Sequence, residues 1–196
     1  MAILYNVTII IACLVFFVWT LYRLYFTENQ LFEDIILKPL IWLTPVYFVT
    51  RFKNLGFSSK DIFKNILLGA VVGLVLSLHR VYQNNLSLNF SYIAIISALF
   101  TGITEEVFFR GYLLNRWLTN FHNTLFPLVL NGLFFTLTHV PIAIFIYHYY
   151  GYALFTYLLT NFVSGFVYIL MFYYTKSVYT PIASHIVWNI FSGIFR

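Results

Sequence analysis

Apolar residues recur along the chain in long stretches, each about the length of a membrane-crossing helix, with short polar segments between them. A helix needs roughly 20 predominantly apolar residues to cross the hydrocarbon core of a bilayer. The pattern therefore predicts an all-α transmembrane bundle of about seven helices, forming one domain over residues 1–196. The predicted helices cover residues 3–25, 31–50, 62–82, 92–118, 125–146, 153–175 and 178–195.

The second and the last of these segments contain polar residues that a lipid-facing helix disfavours. Glu33, Asp34 and Lys38 occupy the first turns of the second segment, and Pro39 and Pro45 interrupt it. This segment therefore begins either as a membrane-crossing helix or as a helix at the membrane interface. The last segment is short, and burial inside the bundle suits its polar residues better than contact with lipid.

The composition is that of a membrane protein. Hydrophobic residues make up 61% of the chain and charged residues 9%, with a mean hydropathy of +0.85, whereas soluble domains carry about 25% charged residues. The net charge of +5 suits basic loops beside an anionic cytoplasmic leaflet. Nucleic-acid binding is disfavoured because the basic residues are sparse and scattered between apolar segments. The single cysteine, Cys13, excludes an intramolecular disulfide and an all-cysteine metal site.

The connector between the second and third segments, residues 51–65, is basic and amphipathic. Its charged residues are Arg51, Lys53, Lys60, Asp61 and Lys64. Basic connectors of membrane proteins lie preferentially in the cytoplasm, so we expect residues 51–65 there. Because successive helices alternate in direction, we expect the connectors at 116–124 and 176 on the same side.

The fourth segment holds two adjacent glutamates and an arginine in the run TEEVFFRGYLL, residues 104–114. A charged side chain at the centre of a membrane helix costs around 2.5–3.5 kcal/mol on insertion scales. Glu106 and Arg110 share a helix face, so we expect an ion pair between them. The residue four positions after Glu105 is Phe109, so we expect Glu105 to have no charged partner. Such a carboxyl group suits a general acid or base near neutral pH, and a polar cluster that only supports folding is the alternative.

Two histidines lie in other apolar segments, His139 in FFTLTHV and His185 in SHIVWN. Asn189 follows His185 by four residues, so it either orients the imidazole or donates with it to an oxyanion. Phe135 precedes His139 by four residues and either walls the same pocket or faces lipid. A single intramembrane histidine is usually a packing residue, but two of them with a glutamate on a third helix favour a functional site.

Three patterns lie in order on separate predicted helices: EExxxR at 105–110, FxxxH at 135–139 and HxxxN at 185–189. Together they resemble the motifs of the CPBP family, which contains CAAX prenyl proteases and related bacteriocin-processing or immunity proteins, also called Abi proteins. The resemblance covers residues 92–196, the expected catalytic core. Residues 1–91 add N-terminal helices and the basic loop that we expect in the cytoplasm.

The resemblance implies an intramembrane endopeptidase with a polar cavity that opens to the cytosol. By analogy with the family, Glu105 and His139 activate a water molecule that attacks a peptide carbonyl. His185 and Asn189 then stabilise the tetrahedral oxyanion. The residues implied to support the site are Glu106, Arg110 and Phe135.

Two ways of activating the water remain open at this point. Two histidines and a glutamate form a known catalytic zinc set with an open fourth position, which here means Glu105, His139 and His185. Asn189 is a poor zinc ligand but a good amide donor, which favours a reaction without a metal. We therefore expect no cofactor, with zinc as the alternative.

The expected substrate is a membrane-associated peptide or protein, such as a bacteriocin precursor, a pheromone precursor or another membrane protein. The small size and the many phenylalanine, tyrosine, isoleucine and asparagine residues indicate a compact, multi-pass protein of a bacterial cell membrane. A non-enzymatic bacteriocin-immunity or regulatory protein that binds a partner in the bilayer is the alternative. A transporter or proton channel is disfavoured, because intramembrane acids are few and no internal repeat is present. The sequence makes no prediction of the oligomeric state.

Overall fold

The computed structural model describes residues 2–26, 30–57, 61–83 and 91–194. Over this part of the chain it contains seven helices and no strand, as the hydropathy pattern predicts. The helices are α1 (Ala2–Tyr25), α2 (30–50), α3 (Ile62–Gln83), α4 (Tyr92–Asn120), α5 (Leu125–Ile146), α6 (Gly151–Thr175) and α7 (Tyr179–Ile194). Lys60 of the predicted basic connector lies outside the described residues.

Four of the helices, α1, α4, α5 and α6, are long and apolar enough to cross a membrane. Helix α3 contributes a shorter apolar segment, Ile62–Leu78. The backbone N–H and C=O groups of a helix form hydrogen bonds with each other, so a helix can cross the hydrocarbon core of a bilayer, where water is absent. The chain is therefore an integral, multi-pass membrane protein.

Helix α7 packs against α3, α4 and α6, and no α7 side chain that the structure describes is exposed. Two glycines of α3 bring the backbones of α3 and α7 into contact. A Cβ atom at Gly69 would lie 2.2 Å from the Thr180 carbonyl oxygen, and one at Gly73 would lie 2.5 Å from the Ser184 carbonyl oxygen. Both distances are far below van der Waals contact, so only glycine fits. This close packing fixes the helix that carries His185.

Helix α4 lies at the centre of the bundle. Every residue of its segment 104–114, which contains the two glutamates and the arginine, is buried. Trp42 of α2 packs on Phe108 and Phe109, with ring centroids 5.4 and 5.5 Å apart. These separations are typical of aromatic pairs in packed cores. The glutamates and the arginine of α4 therefore have to find their partners inside the bundle.

Short π-helical stretches interrupt α2, α4 and α5, at Glu33–Leu37, Val107–Leu114 and Ile142–Ile146. The spacing of apolar residues did not predict them. Such turns occur often at functional sites and change the pairing of backbone groups. In α4 the Phe109 carbonyl oxygen accepts a hydrogen bond from Nδ2 of Asn131 at 2.9 Å, which joins α4 to α5 beside the candidate site.

The connectors after α2, α4 and α6 lie at one end of the bundle, as the alternation of helices predicts. Nδ2 of Asn115 donates to the Asn54 carbonyl oxygen at 2.7 Å, and the Val178 amide donates to the Gly56 carbonyl oxygen at 3.1 Å. We call this end, with residues 51–57, 121–124 and 176–178, the connector end. Its cytoplasmic location stays a prediction.

Candidate active site

A cavity of about 430 Å³ lies within the bundle and is lined by residues of α1, α2, α4, α5, α6 and α7. Five residues that the sequence predicts for the site line it: Glu105, Phe135, His139, His185 and Asn189. The two remaining predicted residues, Glu106 and Arg110, lie behind the cavity wall and are completely buried. The structure thus brings all seven residues together, while their roles stay predictions.

Glu106 holds two neighbours at once. Its Oε1 accepts a hydrogen bond from Nη1 of Arg110 at 3.1 Å, so the ion pair expected from their spacing is present. The same oxygen lies 2.8 Å from Nδ1 of His185, a contact that sequence reasoning missed. Glu106 therefore holds one nitrogen of the imidazole, and the two roles expected for Asn189 stay predictions. Nη2 of Arg110 donates to the Gly165 carbonyl oxygen at 2.7 Å, so this buried group joins α4 to both α6 and α7.

The imidazole of His185 presents its second nitrogen to the cavity. A carboxylate only accepts hydrogen bonds, so Nδ1 carries the hydrogen that it shares with Glu106. The ring stacks on Tyr168 with centroids 5.0 Å apart. Nε2 lies 3.9 Å from Oε2 of Glu105, too far for a direct hydrogen bond. This nitrogen is therefore available to a group in the cavity.

The prediction that Glu105 has no charged partner is wrong. Oε1 of Glu105 lies 2.9 Å from Nζ of Lys38, which reaches it from α2. Lys38 precedes Glu105 by 67 positions, so helical spacing within α4 gave no sign of the pair. Oε2 of Glu105 is buried and has no hydrogen-bond partner among the described residues. Lys38 thus holds one carboxylate oxygen, and the other makes no hydrogen bond among the described residues.

A second ion pair lines the same cavity, between Arg23 of α1 and Glu33 of α2. Asp34 adds a contact of 3.4 Å to Nζ of Lys38. The sequence contained an indication of these buried charges. Three charged residues begin an apolar segment, and two of them, Asp34 and Lys38, are four positions apart on one helix face. All of these side chains are buried, so packing against α1 and α4 accounts for the charges at the start of α2.

A break in the hydrogen-bond pattern of α5 leaves the Phe135 carbonyl oxygen without the His139 amide as its donor. This oxygen holds the ring of His139 instead. Its own amide donates to the Thr136 carbonyl oxygen at 3.0 Å, and Nδ1 of its ring lies 2.9 Å from the Phe135 carbonyl oxygen. A carbonyl oxygen only accepts, so Nδ1 carries a hydrogen and Nε2 of the neutral ring keeps its lone pair. His139 can therefore accept a hydrogen bond or a proton through Nε2.

Phe135 lines the pocket and does not face lipid, so the first of the two alternatives for this side chain is the correct one. Its ring centroid lies 4.8 Å from that of His139 and 6.1 Å from that of His185. The guanidinium carbon of Arg110 lies 4.4 Å from the ring centroid. A Cβ atom at Gly165 would lie 2.6 Å from the same ring, so the glycine makes room for it.

The cavity lies in the part of the bundle away from the connector end. Its lining runs from Glu105 and His185 in the middle of the bundle to Arg23, Tyr147 and Ser192 near the opposite helix ends. Two expectations conflict here, since a cytoplasmic basic connector and a cavity open to the cytosol place opposite ends of the bundle on the same side. Both stay predictions.

The residues of the alternative zinc set are not arranged as a metal site among the described residues. Among the residues that the structure describes, no three histidine, cysteine, aspartate or glutamate side chains are placed to hold a metal ion. One oxygen of Glu105 is bound to the ammonium of Lys38, and Nδ1 of His185 is bound to Glu106. A zinc ion would have to compete with that ammonium for the carboxylate.

Comparison with known families places all three motifs in one of them. Residues 87–191, more than half of the 196 residues, match the family described as Type II CAAX prenyl endopeptidase Rce1-like. The chain belongs to this family. No curated protein and no solved structure matches it. The Rce1-like segment contains Glu105, His139, His185 and Asn189, but it begins after Lys38 and the helices α1 to α3.

Membership of the Rce1-like family identifies a protease, and the apolar helices place it in a bilayer. The chain is therefore an intramembrane endopeptidase of the CAAX type that acts on a membrane-associated substrate.

Proposed function

We propose that Glu105 activates water in this endopeptidase and that the water hydrolyses a peptide bond of a membrane-associated peptide or protein. The observation that carries the proposal is the cavity itself. It brings one carboxylate oxygen without a hydrogen-bond partner among the described residues together with two imidazoles, inside a bundle of membrane helices. A general base has to lie within hydrogen-bond reach of the proton that it takes. Glu105 lines the cavity and has one carboxylate oxygen without a hydrogen-bond partner among the described residues.

In the first step, a water molecule binds between Oε2 of Glu105 and the imidazoles. Oε2 of Glu105 accepts one proton of the water while the water oxygen forms a bond to the substrate carbonyl carbon. Nε2 of His139, with its lone pair, accepts a second hydrogen bond and orients the water. The C=O double bond becomes a C–O⁻ single bond, which gives a tetrahedral oxyanion.

In the second step, the oxyanion collapses and the C–N bond breaks. Nε2 of His185, when it carries a hydrogen, and the side-chain amide of Asn189 donate to the oxyanion from the same face of α7. The proton held by Glu105 passes to the leaving nitrogen, which yields a carboxyl group and an amine. Glu106 takes no proton in this scheme, and it keeps Nδ1 of His185 in place at 2.8 Å.

We propose that this reaction needs no cofactor, because the ammonium of Lys38 already binds the carboxylate that a zinc site requires. Purified protein treated with a strong chelator and then freed of it should keep its activity. A lasting loss that added zinc restores would assign the water activation to a metal instead.

We propose a bacterial cell membrane as the setting and membrane-bound precursor peptides, such as bacteriocin or pheromone precursors, as the substrates. The compact size and the residue composition support this setting. The long apolar helices that enclose the cavity suit a substrate that is held in the bilayer.

The experiment compares membrane peptides, by mass spectrometry, from cells that make the natural chain or its Glu105→Gln variant. Glutamine keeps the shape of the side chain but removes the base, so the cleaved products should disappear while the melting temperature in detergent changes little. Glu33→Gln is the matched control, since it neutralises another buried carboxylate of the same cavity and should keep the products. An unchanged biological effect of Glu105→Gln would favour the non-enzymatic immunity or regulatory role.

A further inference from the structure

We propose that Lys38 is a positioning residue of the active site, which binds Oε1 of Glu105 and thereby turns Oε2 toward His185 and the water. This inference rests on the proposed function of Glu105. Lys38 lies on α2, outside the Rce1-like segment 87–191, so the family match does not assign it a role. This role of Lys38 makes α2, one of the N-terminal helices, a part of the active site.

The contacts of Lys38 hold its ammonium in one place. The side chain is 7% exposed, and Nζ lies 2.9 Å from Oε1 of Glu105, 3.3 Å from Oγ1 of Thr101 and 3.4 Å from Oδ1 of Asp34. The ammonium donates hydrogen bonds to Glu105 and Thr101 and forms an ion-pair contact with Asp34. The ring of Trp42 lies 5.9 Å from Nζ and adds a cation–π contact.

This arrangement distinguishes the two oxygens of Glu105. A carboxylate turns about its last side-chain bond unless a contact fixes it. Because Lys38 binds Oε1, Oε2 is left 3.9 Å from Nε2 of His185, on the side of the cavity where water would bind. A π-helical stretch, Glu33–Leu37, ends directly before Lys38, and such stretches occur often at functional sites.

A purely structural role for Lys38 makes a different prediction from a positioning role. If the lysine only supports the fold, its removal lowers stability and activity together, as removal of any buried ion-pair partner does. If it positions Glu105, its removal lowers the rate of the chemical step while substrate binding persists. Displacement of a catalytic group by about 1 Å can reduce the rate about 100-fold.

The experiment uses the full chain in proteoliposomes and a quenched-fluorescent peptide built around a bond that the natural chain cleaves and Glu105→Gln does not. We expect Lys38→Met to lower kcat about 100-fold and to change KM less than about threefold. The double variant Asp34→Asn, Lys38→Met removes a cation and an anion together, so it carries the test if Lys38→Met alone does not fold. Arg23→Met is the matched control, because it also breaks a buried ion pair of the cavity, the one with Glu33.

Chemical rescue supplies a readout that a structural role does not move. Lys38→Ala leaves space beside Glu105, and added methylammonium should raise its kcat at least tenfold, whereas neutral acetamide should not. A kcat of Lys38→Met within threefold of the natural value overturns the proposal. So does a failure of methylammonium to rescue, or an equal loss in Arg23→Met. If the natural chain and Glu105→Gln yield the same peptides, the proposed function itself fails, and the role of Lys38 falls with it.

Discussion

Replacement of Glu106 by alanine should damage the fold more than any other single change at the site. The carboxylate is completely buried and accepts hydrogen bonds from Arg110 at 3.1 Å and His185 at 2.8 Å. Alanine removes both contacts and leaves the guanidinium of Arg110 with the Gly165 carbonyl as its hydrogen-bond acceptor among the described residues. Loss of one half of a buried ion pair costs about 3–5 kcal/mol, because the remaining charge stays buried without its partner.

Glu105→Ala is the matched comparison, since it removes the neighbouring carboxylate from the same helix. Lys38 then keeps Oδ1 of Asp34 at 3.4 Å and Oγ1 of Thr101 at 3.3 Å. Its charge is still balanced by Asp34, so the loss of stability should be smaller than for Glu106→Ala. Glu105→Ala should abolish turnover nevertheless, because it removes the proposed base.

Thermal unfolding in one detergent, followed by helical circular dichroism, measures the difference. A loss of 3–5 kcal/mol corresponds to a fall in melting temperature of roughly 6–20 °C for a chain of this size. The double variant Glu106→Gln, Arg110→Met removes both charges and should recover part of that fall, because no unpaired charge remains. A lower melting temperature for Glu105→Ala than for Glu106→Ala would refute this reasoning. A double variant no more stable than Glu106→Ala would refute it too.

Two further predictions concern packing and orientation. Gly165→Ala should lower activity at least tenfold in the same peptide assay with helical content retained, because the new Cβ would lie 2.6 Å from the ring of Phe135. Gly132→Ala, whose Cβ would lie 3.2 Å from the Phe162 ring, should have a milder effect. In a Cys13→Ser background, Asn54→Cys at the connector end should react with an impermeant maleimide only after the cells are permeabilised. Tyr150→Cys, at the opposite end, should react directly, and the reverse pattern would place the cavity mouth in the cytosol.

The helices were predictable because a bilayer leaves the chain few options. A crossing segment must be long, apolar and helical, so hydropathy alone located the seven helices of the described residues close to their observed bounds. The site was predictable in part for the same reason. Charged and polar side chains in apolar helices turn toward the protein interior, so Glu105, His139 and His185 were expected to meet, and they line one cavity.

The partners of these residues were less predictable, because they depend on how the helices pack. Helical spacing found the contact between Glu106 and Arg110, which lie on one helix, but not the contact of Glu106 with His185, 79 positions away. The contact between Lys38 and Glu105 was not predicted for the same reason, because the two residues lie on different helices. The π-helical stretches leave no mark in the spacing of apolar residues, so they were also missed.

The polar contacts of the site also explain how the helices find their arrangement. Lipid tails are as apolar as leucine side chains, so burial of apolar surface favours no particular pairing of helices in a bilayer. Polar contacts between helices do favour one pairing, and here they run from α1 to α2, from α2 to α4, and from α4 to α6 and α7. Glu105 belongs to this set through its contact with Lys38. The proposed base therefore also helps to assemble the cavity, and substitutions at Glu105 need a shape-preserving change such as glutamine to separate catalysis from folding.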